Sequence, residues 1–240
     1  MCGRFTLTTR YDDLTRALGL DVDPLVEAHY RPRYNIAPTT DHWILAREGG
    51  REQLLPARWG FQSPFGAGKD DPVGHINARA ETAADKPTFR GAFLHGRCGV
   101  VADGFFEWTG PKGQKRPVWF HRRDHAPMVF AGLCQDGDDQ GRPRRFTILT
   151  CAANQIVTPF HNRMPVILPM SDLRGWLEPQ APQGRGERER ADREAMRATL
   201  SALMIPAPDD LLVATPVSTR VNSIRYDDPG CVAPIDPEDE

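Results

Sequence analysis

Short strand-like runs broken by turns are the feature of this chain that most restricts its fold. Its 240 residues include 21 glycines and 22 prolines, and runs of β-branched and aromatic residues recur roughly every 8–12 residues between them. This spacing is typical of a barrel or a sandwich rather than a doubly wound sheet. We therefore predict an α+β fold: a single β-rich domain with a barrel-like or strongly curved antiparallel sheet and short peripheral helices. The strand-like runs are 3–8, 42–47, 52–58, 98–108, 116–122, 127–133, 145–151 and 211–214.

Turn residues and apolar spacing predict how these runs connect. Gly49-Gly50 predicts a hairpin of 42–47 with 52–58, and 116–122 is predicted to pair with 127–133 in a second hairpin. The proline-containing stretch 31–39 is predicted as an extended loop. Apolar residues at helical spacing predict a short helix over 11–19, and residues typical of helix ends predict helices over 87–95 and 171–177. A short helix is also predicted to start at the end of 75–81, and a charged helix to run from the second half of 180–197 to about Met204.

No composition change divides the chain into two domains. We predict one domain over 2–226, with a peripheral charged insertion at 180–197 and an acidic C-terminal tail at 227–240. The formal net charge is −2, but the tail holds six acidic and no basic residues, which leaves residues 1–226 at +4. That balance is compatible with a phosphate-binding face and equally with a mixed, solvated surface.

Cysteine usage and hydropathy limit the class of protein. The five cysteines are widely spaced and contain no C-x-x-C motif, so neither a zinc site nor a disulfide framework is indicated. No metal or cofactor is predicted. The chain has no apolar run approaching the ~18 residues that span a bilayer, and nothing resembles a secretion signal. We expect a protein of the cytoplasm, or of the nucleus in a eukaryote, with no membrane partner.

The first residues, Met1-Cys2, carry a distinctive chemistry. Removal of methionine before a small residue leaves Cys2 with an α-amine and a thiol on adjacent carbons. The free amine titrates near ~7.7–8 and the thiol near ~8.5, so both nucleophiles are partly available at neutral pH. Such an aminothiol condenses with an aldehyde to an imine, which the thiol then closes to a thiazolidine. The alternative is that Cys2 is an ordinary small residue in a frayed terminus.

Two residues are candidates for proton transfer. Glu107 lies between Phe106 and Trp108 in an apolar run, where an unpaired charge is costly on either strand face. Desolvation favours the protonated carboxyl, which suits a general acid–base near neutral pH; alternatively, Glu107 pairs with a buried arginine as part of the scaffold. His161 is the residue type for proton transfer at neutral pH, or it is a hydrogen-bonded surface histidine.

Asn77 and Arg79 are candidates for binding. One residue separates them on a segment that is predicted to be extended, so their side chains can share one face. The guanidinium of Arg79 suits bidentate binding of a phosphate. The alternative is that both residues have a structural role and hold a loop in place.

Seven sequence blocks together resemble one family, the SRAP (SOS response-associated peptidase) family. The resemblance extends from Cys2 to about Asn222 and leaves out the insertion and the acidic tail. The blocks occur in the family's order: Met1-Cys-Gly-Arg-Phe5, Arg33-Tyr-Asn-Ile-Ala-Pro38, Arg58-Trp-Gly60, Asn77-Ala-Arg-Ala-Glu-Thr82, Gly104-Phe-Phe-Glu-Trp108, His161-Asn-Arg-Met-Pro165 and Pro216-Val-Ser-Thr-Arg-Val-Asn222.

The resemblance implies a DNA-damage protein that senses abasic sites in single-stranded DNA and crosslinks to them through its N-terminal cysteine. It implies catalytic roles for Cys2, Asn77, Glu107 and His161. It also implies a monomer with lyase activity as a side reaction. The DNA-binding residues implied are Arg4, Pro38, Trp59, Arg79, Trp108 and Arg163.

Two other functions stay open at the level of sequence. One is a thiol peptidase in which Cys2 is the nucleophile and Glu107 or His161 the base, with removal of Met1 as its own processing step. The other is a non-catalytic module that binds single-stranded DNA, whose affinity would survive the loss of Cys2 and fall steeply with salt.

Overall fold

Two sheets built from short strands dominate the fold. The computed structural model describes residues 2–63, 73–111, 113–139, 141–178 and 186–235. Within these ranges the strands are β1 (Phe5–Leu7), β2 (Arg33–Ile36), β3 (Asp41–Glu48), β4 (Arg51–Trp59), β5 (Asn77–Arg79), β6 (Arg97–Ala102), β7 (Gly104–Thr109), β8 (Arg116–Arg122), β9 (Met128–Gln135), β10 (Arg145–Ala152), β11 (Arg163–Pro165), β12 (Ile167–Leu168) and β13 (Leu212–Pro216).

The larger sheet closes on itself. Its strands run in the order β11-β10-β4-β3-β6-β9-β12, and β5 pairs with β10 outside that path. Strand β10 is parallel to β4 on one side and antiparallel to β9 on the other, so that β3, β4, β6, β9 and β10 form a continuous ring. Closure removes the exposed edges that an open sheet would present. The predicted barrel-like sheet is confirmed.

The smaller sheet holds the start of the chain between other strands. Its order is β13-β8-β7-β1-β2, so the three-residue strand β1 is hydrogen-bonded on both sides. Phe5, at the start of β1, is fully buried. Its ring lies 5.0 Å from that of Trp59 and 6.2 Å from that of Phe130. Strand β1 therefore anchors the N-terminal segment to the barrel through the core.

The helices cover the outside of the sheets. The five predicted helices are confirmed in type and approximate position, and the hairpin of β3 with β4 is confirmed as well. A further helix was not predicted; Asp23 caps it by accepting a hydrogen bond from Leu25 N at 2.8 Å. The helices are α1 (Tyr11–Leu18), α2 (Pro24–His29), α3 (Ala80–Ala83), α4 (Pro87–His95), α5 (Met170–Leu177) and α6 (Glu187–Leu203).

Two local predictions are wrong. The stretch 31–39 is not all loop, because β2 forms between its two prolines and pairs with β1. The run 116–122 does not form a hairpin with 127–133: β8 pairs with β7 and β13, whereas β9 pairs with β6, β10 and β12. Strand β9 is buried along nearly its whole length. A strand that is apolar on both faces requires neighbours on both sides and a covered position, which the barrel supplies.

The charged segments flank the domain. In the insertion predicted at 180–197, residues 180–185 lie outside the described residues, and α6 follows with Leu200 buried. In the tail predicted at 227–240, residues 236–240 lie outside them. The first part of that tail is packed on the fold: the carboxylate of Asp227 accepts hydrogen bonds from the backbone N–H of Tyr34 and Asn35, and Cys231 is fully buried. None of the helices in the described ranges is long and apolar enough to cross a membrane.

Close packing at Gly104 gives a test of the smaller sheet. A Cβ at this position would lie 2.0 Å from Nε1 of Trp119. We expect Gly104→Ala to lower the free energy of unfolding by about 1–3 kcal/mol, because the indole must move. Gly91→Ala is the matched control, since a Cβ on that helical residue meets nothing within 4 Å, and it should raise the free energy of unfolding by about 0.4–1 kcal/mol. Urea denaturation measures both; equal stabilities for the two variants would contradict this packing.

Candidate active site

The N-terminal segment places Cys2 beneath the surface, next to Asn77. Cys2 is fully buried, and its Sγ lies 3.8 Å from the carbonyl oxygen of Arg4. Asn77 begins β5, which β10 holds in parallel register opposite Ile148. Its side-chain Nδ2 donates a hydrogen bond to the carbonyl oxygen of Cys2 at 2.8 Å. The two residues, 75 positions apart in the chain, therefore meet at the junction of the two sheets.

Glu107 lies on the neighbouring strand. Phe5 is opposite Phe105 in the antiparallel pair of β1 and β7, and the backbone N–H of Phe106 donates to the carbonyl of Arg4 at 3.0 Å. That register brings Glu107 alongside the segment that contains Cys2. Glu107 is only 5% exposed. The alternation of the strand thus points a carboxyl group into a largely dry environment.

Burial and mutual charge shift both groups. Desolvation raises the pKa of Glu107, and nearby positive charge, including that of His161, opposes the rise. Desolvation also raises the pKa of the Cys2 thiol, and the negative charge of Glu107 adds to that effect. At neutral pH the thiol is therefore protonated. The two shifts share one cause, since both side chains lie where water is excluded.

His161 faces the same site from the loop between β10 and β11. Its backbone N–H donates to the carbonyl of Val157 at 3.0 Å, which fixes the end of the loop. Its Nδ1 accepts a hydrogen bond from the backbone N–H of Arg163 at 2.9 Å. This contact assigns the proton of the neutral ring to Nε2, so Nε2 is the atom that can donate a proton in the site.

A cleft of about 670 Å³ opens at Glu107 and His161. One wall is a connected set of side chains: Arg4 donates to Asn35 Oδ1 at 2.6 Å and to the carbonyl of Val221 at 3.0 Å, and its guanidinium lies 5.9 Å from the ring centre of Trp108. Trp108 in turn donates from Nε1 to Asn222 Oδ1 at 2.6 Å. The cleft is lined by Arg4, Glu107, Trp108, Gly113, Lys115, Phe160, His161 and Asn222.

Two of the predicted DNA-binding residues are already bound to other residues of the protein. Trp59 is fully buried, stacks on Phe146 and donates from Nε1 to the carbonyl of Ile76. Arg163 forms a bidentate ion pair with Glu81, with N–O distances of 2.6 and 2.8 Å. In this conformation Trp59 offers no ring face to a base, and the charge of Arg163 is already compensated.

The remaining two predicted DNA-binding residues, Arg79 and Pro38, lie near the protein surface. Arg79 is exposed and follows Asn77 on β5 with one residue between them, so alternation puts both side chains on one face. Pro38 is half-buried in a turn closed by the hydrogen bond from Thr40 N to the carbonyl of Ala37 at 3.3 Å. Neither residue lines the cleft that Glu107 and His161 share.

The structure adds residues to which the sequence analysis assigned no role. Asn35 is 3% exposed, accepts from Arg4 and donates to three carbonyl groups of the segment that contains Asn222. Asn35 and Asn222 both lie within the sequence blocks noted above. The sequence of those blocks does not indicate that Asn35 contacts the segment around Asn222, because the two are more than 180 positions apart in the chain.

A second cleft, of about 830 Å³, lies elsewhere. It is bordered by the α1–α2 connection and the hairpin of β3 with β4, and contains none of the predicted site residues. Its arginines are balanced by acidic side chains, as in the pairs Arg47–Glu178 and Arg174–Glu52. Among the residues that the structure describes, no three His, Cys, Asp or Glu side chains are placed to hold a metal ion.

The raised pKa of Glu107 gives a prediction for stability against pH. Because its folded pKa exceeds the ordinary value of 4.5, the folded protein binds this proton at higher pH than the unfolded chain. The ionised carboxylate therefore costs stability above the folded pKa. We expect Glu107→Gln to be more stable than the wild type near neutral pH, with a difference that shrinks as pH falls and is absent below 4.5.

A control of opposite sign lies nearby. The hydrogen bond from Arg163 lowers the pKa of Glu81, so its ionised form stabilises the folded state above the unfolded pKa, and this contribution is lost as pH falls through the folded pKa. Glu81→Gln should therefore be less stable than the wild type near neutral pH. Urea unfolding across a pH series measures both variants; a destabilised Glu107→Gln at neutral pH would contradict the account.

Several known proteins are similar to this chain over nearly its whole length. The chain is 34% identical over 235 residues to the abasic site processing protein YoqW of Bacillus subtilis (strain 168), covering 95% of this chain and 97% of that protein. It is 29% identical to YedK of Escherichia coli (strain K12), covering 98% and 100%, and 31% identical to HMCES of Gallus gallus, covering 98% and 78%; both are also named abasic site processing proteins.

Solved structures share the fold. A protein from Bacteroides thetaiotaomicron superposes with a TM-score of 0.77 at 20% identity, covering 98% of this chain and all of that one. A phage-related protein from Bordetella bronchiseptica gives 0.66 at 28% identity, covering 90% and 94%. The family model described as SOS response associated peptidase matches residues 1–224. The chain belongs to the SRAP family.

Proposed function

We propose that this protein recognises abasic sites in single-stranded DNA and forms a covalent crosslink to them through Cys2, acting as a monomer. The observation that carries the proposal is the placement of Cys2 beside Asn77 and Glu107, where Glu107 also lines a cleft that it shares with Arg4 and His161. The three relatives described above are named for abasic site processing. Family membership and site chemistry thus support the same reaction.

The reaction begins with the aldehyde at C1′ of the ring-opened abasic sugar. The amine of Cys2, free after removal of Met1 (a residue outside the described ones), adds to C1′, and loss of the hydroxyl as water gives an imine. Sγ then adds to the same carbon while the thiol proton passes to the nitrogen. The product is a five-membered thiazolidine, and one water is released for each crosslink.

The environment of Cys2 and Glu107 suits that order of steps. A thiol whose pKa is raised by burial stays protonated, so the amine reacts first and the thiol brings its own proton to ring closure. A carboxyl whose pKa is raised by burial keeps its proton to a higher pH than an exposed carboxyl does, and the protonated form can donate to the departing hydroxyl. Ring closure is intramolecular, which gives it a high effective molarity.

Unpaired polar atoms at the site support a sugar-phosphate ligand. Within the described part of the chain, the buried Nε of Arg4 and Oδ1 of Asn77 have no hydrogen-bond partner. Buried polar groups in native proteins are nearly always paired. A phosphate oxygen would accept from Arg4 Nε, and a sugar hydroxyl would donate to Asn77 Oδ1. Arg79 and Lys115, both exposed cations, extend the phosphate-binding surface, and Trp108 is the aromatic residue that can pack on the sugar or a base.

Strand cleavage is a second outcome of the same chemistry. An imine at C1′ acidifies the proton on C2′, and removal of that proton by Glu107 or His161 leads to β-elimination of the 3′ phosphate. Closure of the thiazolidine competes with this step because it consumes the imine. We therefore propose lyase activity as a minor reaction. The peptidase alternative is less favoured, because the three relatives described above are named for abasic site processing.

Loss of the Cys2 side chain is the direct test. We expect the wild type to form a band that survives denaturation with an oligonucleotide containing one abasic site, and Cys2→Ala to form none, since the ring cannot close without Sγ. Cys134→Ala is the matched control, because that cysteine is also buried but lies on β9 away from the cleft; it should crosslink as the wild type does. Undiminished crosslinking by Cys2→Ala would rule the proposal out.

Arg79 gives a test of phosphate binding. We expect Arg79→Gln to weaken binding to single-stranded DNA and to make the slope of log K against log salt shallower by about 0.7, the value for one phosphate contact on a single strand. Arg16→Gln is the control: its side chain is 75% exposed on α1 and belongs to no part of the cleft. Fluorescence anisotropy at several salt concentrations measures both. Identical slopes for the wild type and Arg79→Gln would remove Arg79 from the DNA-binding surface.

A further inference from the structure

A buried aspartate between the two sheets holds the start of the chain through hydrogen bonds. Asp103 connects β6 to β7 and is 5% exposed. Its Oδ1 accepts a hydrogen bond from Thr6 Oγ1 at 2.6 Å. Its Oδ2 accepts from the backbone N–H and the hydroxyl of Thr8, at 2.5 and 2.8 Å, and from the same two groups of Thr9, at 2.8 and 3.0 Å. Its own backbone N–H donates to the carbonyl of Thr6 at 2.9 Å.

In the part of the chain that the structure describes, the hydrogen bonds to the Asp103 carboxylate all come from one segment of the chain. A buried carboxylate is costly unless its oxygens are fully hydrogen-bonded, and no ion pair to Asp103 is present among the described residues. Every side-chain hydrogen bond that Asp103 accepts there comes from residues 6–9. Donors on the strand that follows Cys2 and on the turn after it therefore offset the cost of burying the charge.

Packing alone does not fix the position of that strand. Strand β1 is three residues long, and its pairing with β2 is irregular between Phe5 and Leu7. Burial of Phe5 is favourable but non-directional, so it permits small shifts along the strand axis. The hydrogen bonds to Asp103 specify where β1 ends. Trp119 adds to them by donating from Nε1 to Thr6 Oγ1 at 3.1 Å.

Small shifts matter because the nucleophile is at the end of the chain. Terminal residues fray unless they are tied down, and Cys2 lies only four residues before Thr6. A displacement of about 1 Å in a reacting group can cost roughly a hundredfold in rate. Contacts that hold residues 6–9 thus determine how well the amine and thiol of Cys2 stay aligned with Glu107.

We propose that Asp103 is a positioning residue for the crosslinking reaction: by fixing residues 6–9 it sets the placement of Cys2 against Glu107. Asp103 does not touch the reacting atoms. It acts through β1, and its effect falls on the covalent step rather than on DNA binding, because Arg4 is held separately by Asn35 and the carbonyl of Val221. This inference rests on the proposed function.

The test separates the rate constant of the covalent step from the fraction of folded protein. We expect Asp103→Asn to lower the single-turnover rate constant at saturating abasic DNA by roughly 10- to 100-fold. Its affinity for DNA carrying a tetrahydrofuran analogue, which has no aldehyde, should be unchanged. Hydrogen exchange at the amides of Phe5 and Leu7 should become faster. A loss of stability alone would reduce the amount of crosslink formed but leave the rate constant as it was.

Two further variants keep the test decisive. Thr8→Val with Thr9→Val removes two hydroxyl donors while keeping the backbone donors, and should give a smaller fall in the rate constant; it stands in for Asp103→Asn if that variant does not fold. Leu200→Ala is the control for destabilisation, since it removes a buried side chain on α6 and should leave the rate constant unchanged.

The outcomes distinguish this inference from the proposed function. If the wild type forms no crosslink, the proposed function fails. If the wild type crosslinks and both the Asp103 and the threonine variants do so with the wild-type rate constant, the positioning role of Asp103 is overturned while the proposed function stands. A fall of equal size in Leu200→Ala would also overturn it, because the effect would then follow stability and not position.

Discussion

The insertion of β1 into the smaller sheet is the constraint on which the site depends. A chain terminus is usually its most mobile part, yet here it carries the proposed nucleophile. Hydrogen bonds to β2 and β7 on either side, together with the burial of Phe5 in the core, convert the first residues into part of the rigid fold. Without that insertion, Cys2 would not remain beside Asn77 and Glu107.

Exclusion of water around Cys2 and Glu107 shifts the protonation of both side chains. The burial that orders Cys2 also raises the pKa of its thiol and that of Glu107. The result is a protonated thiol next to a carboxyl group that takes up and releases protons closer to neutral pH. Arg4 and Lys115 line the cleft with Glu107, and in the proposed function they and the exposed Arg79 would bind the phosphates of a strand.

Much of the fold could be predicted because it depends on local patterns. Turn residues located the hairpin of β3 with β4, and Pro87 and Gly96 located the two ends of α4. The partners of β8 and β9 could not be predicted, because hydrogen bonding between strands depends on how the barrel closes and not on the connection between the two strands. Strand β2 was missed because two prolines nearby suggested a loop, although the residues between them are free to pair.

The candidate site could likewise be predicted only in part. Cys2, Glu107 and His161 stood out because their residue types are unusual in their local surroundings, and the structure brings all three to one region; their catalytic roles stay predictions. The positions of Trp59 and Arg163 depend on distant partners, Phe146 and Ile76 for the first and Glu81 for the second. For the same reason the contacts of Asn35 and Asp103 become visible only once residues far apart in sequence are placed together.

The central claim is that the aminothiol of Cys2 forms the covalent bond. Mass spectrometry of the protein after reaction with an oligonucleotide containing a single abasic site tests it most directly. We expect an adduct equal to the protein without Met1 plus the oligonucleotide minus one water, located by proteolysis on the peptide Cys2-Gly3-Arg4. An adduct on Lys115 or on an internal cysteine, or on protein that still carries Met1, would contradict it.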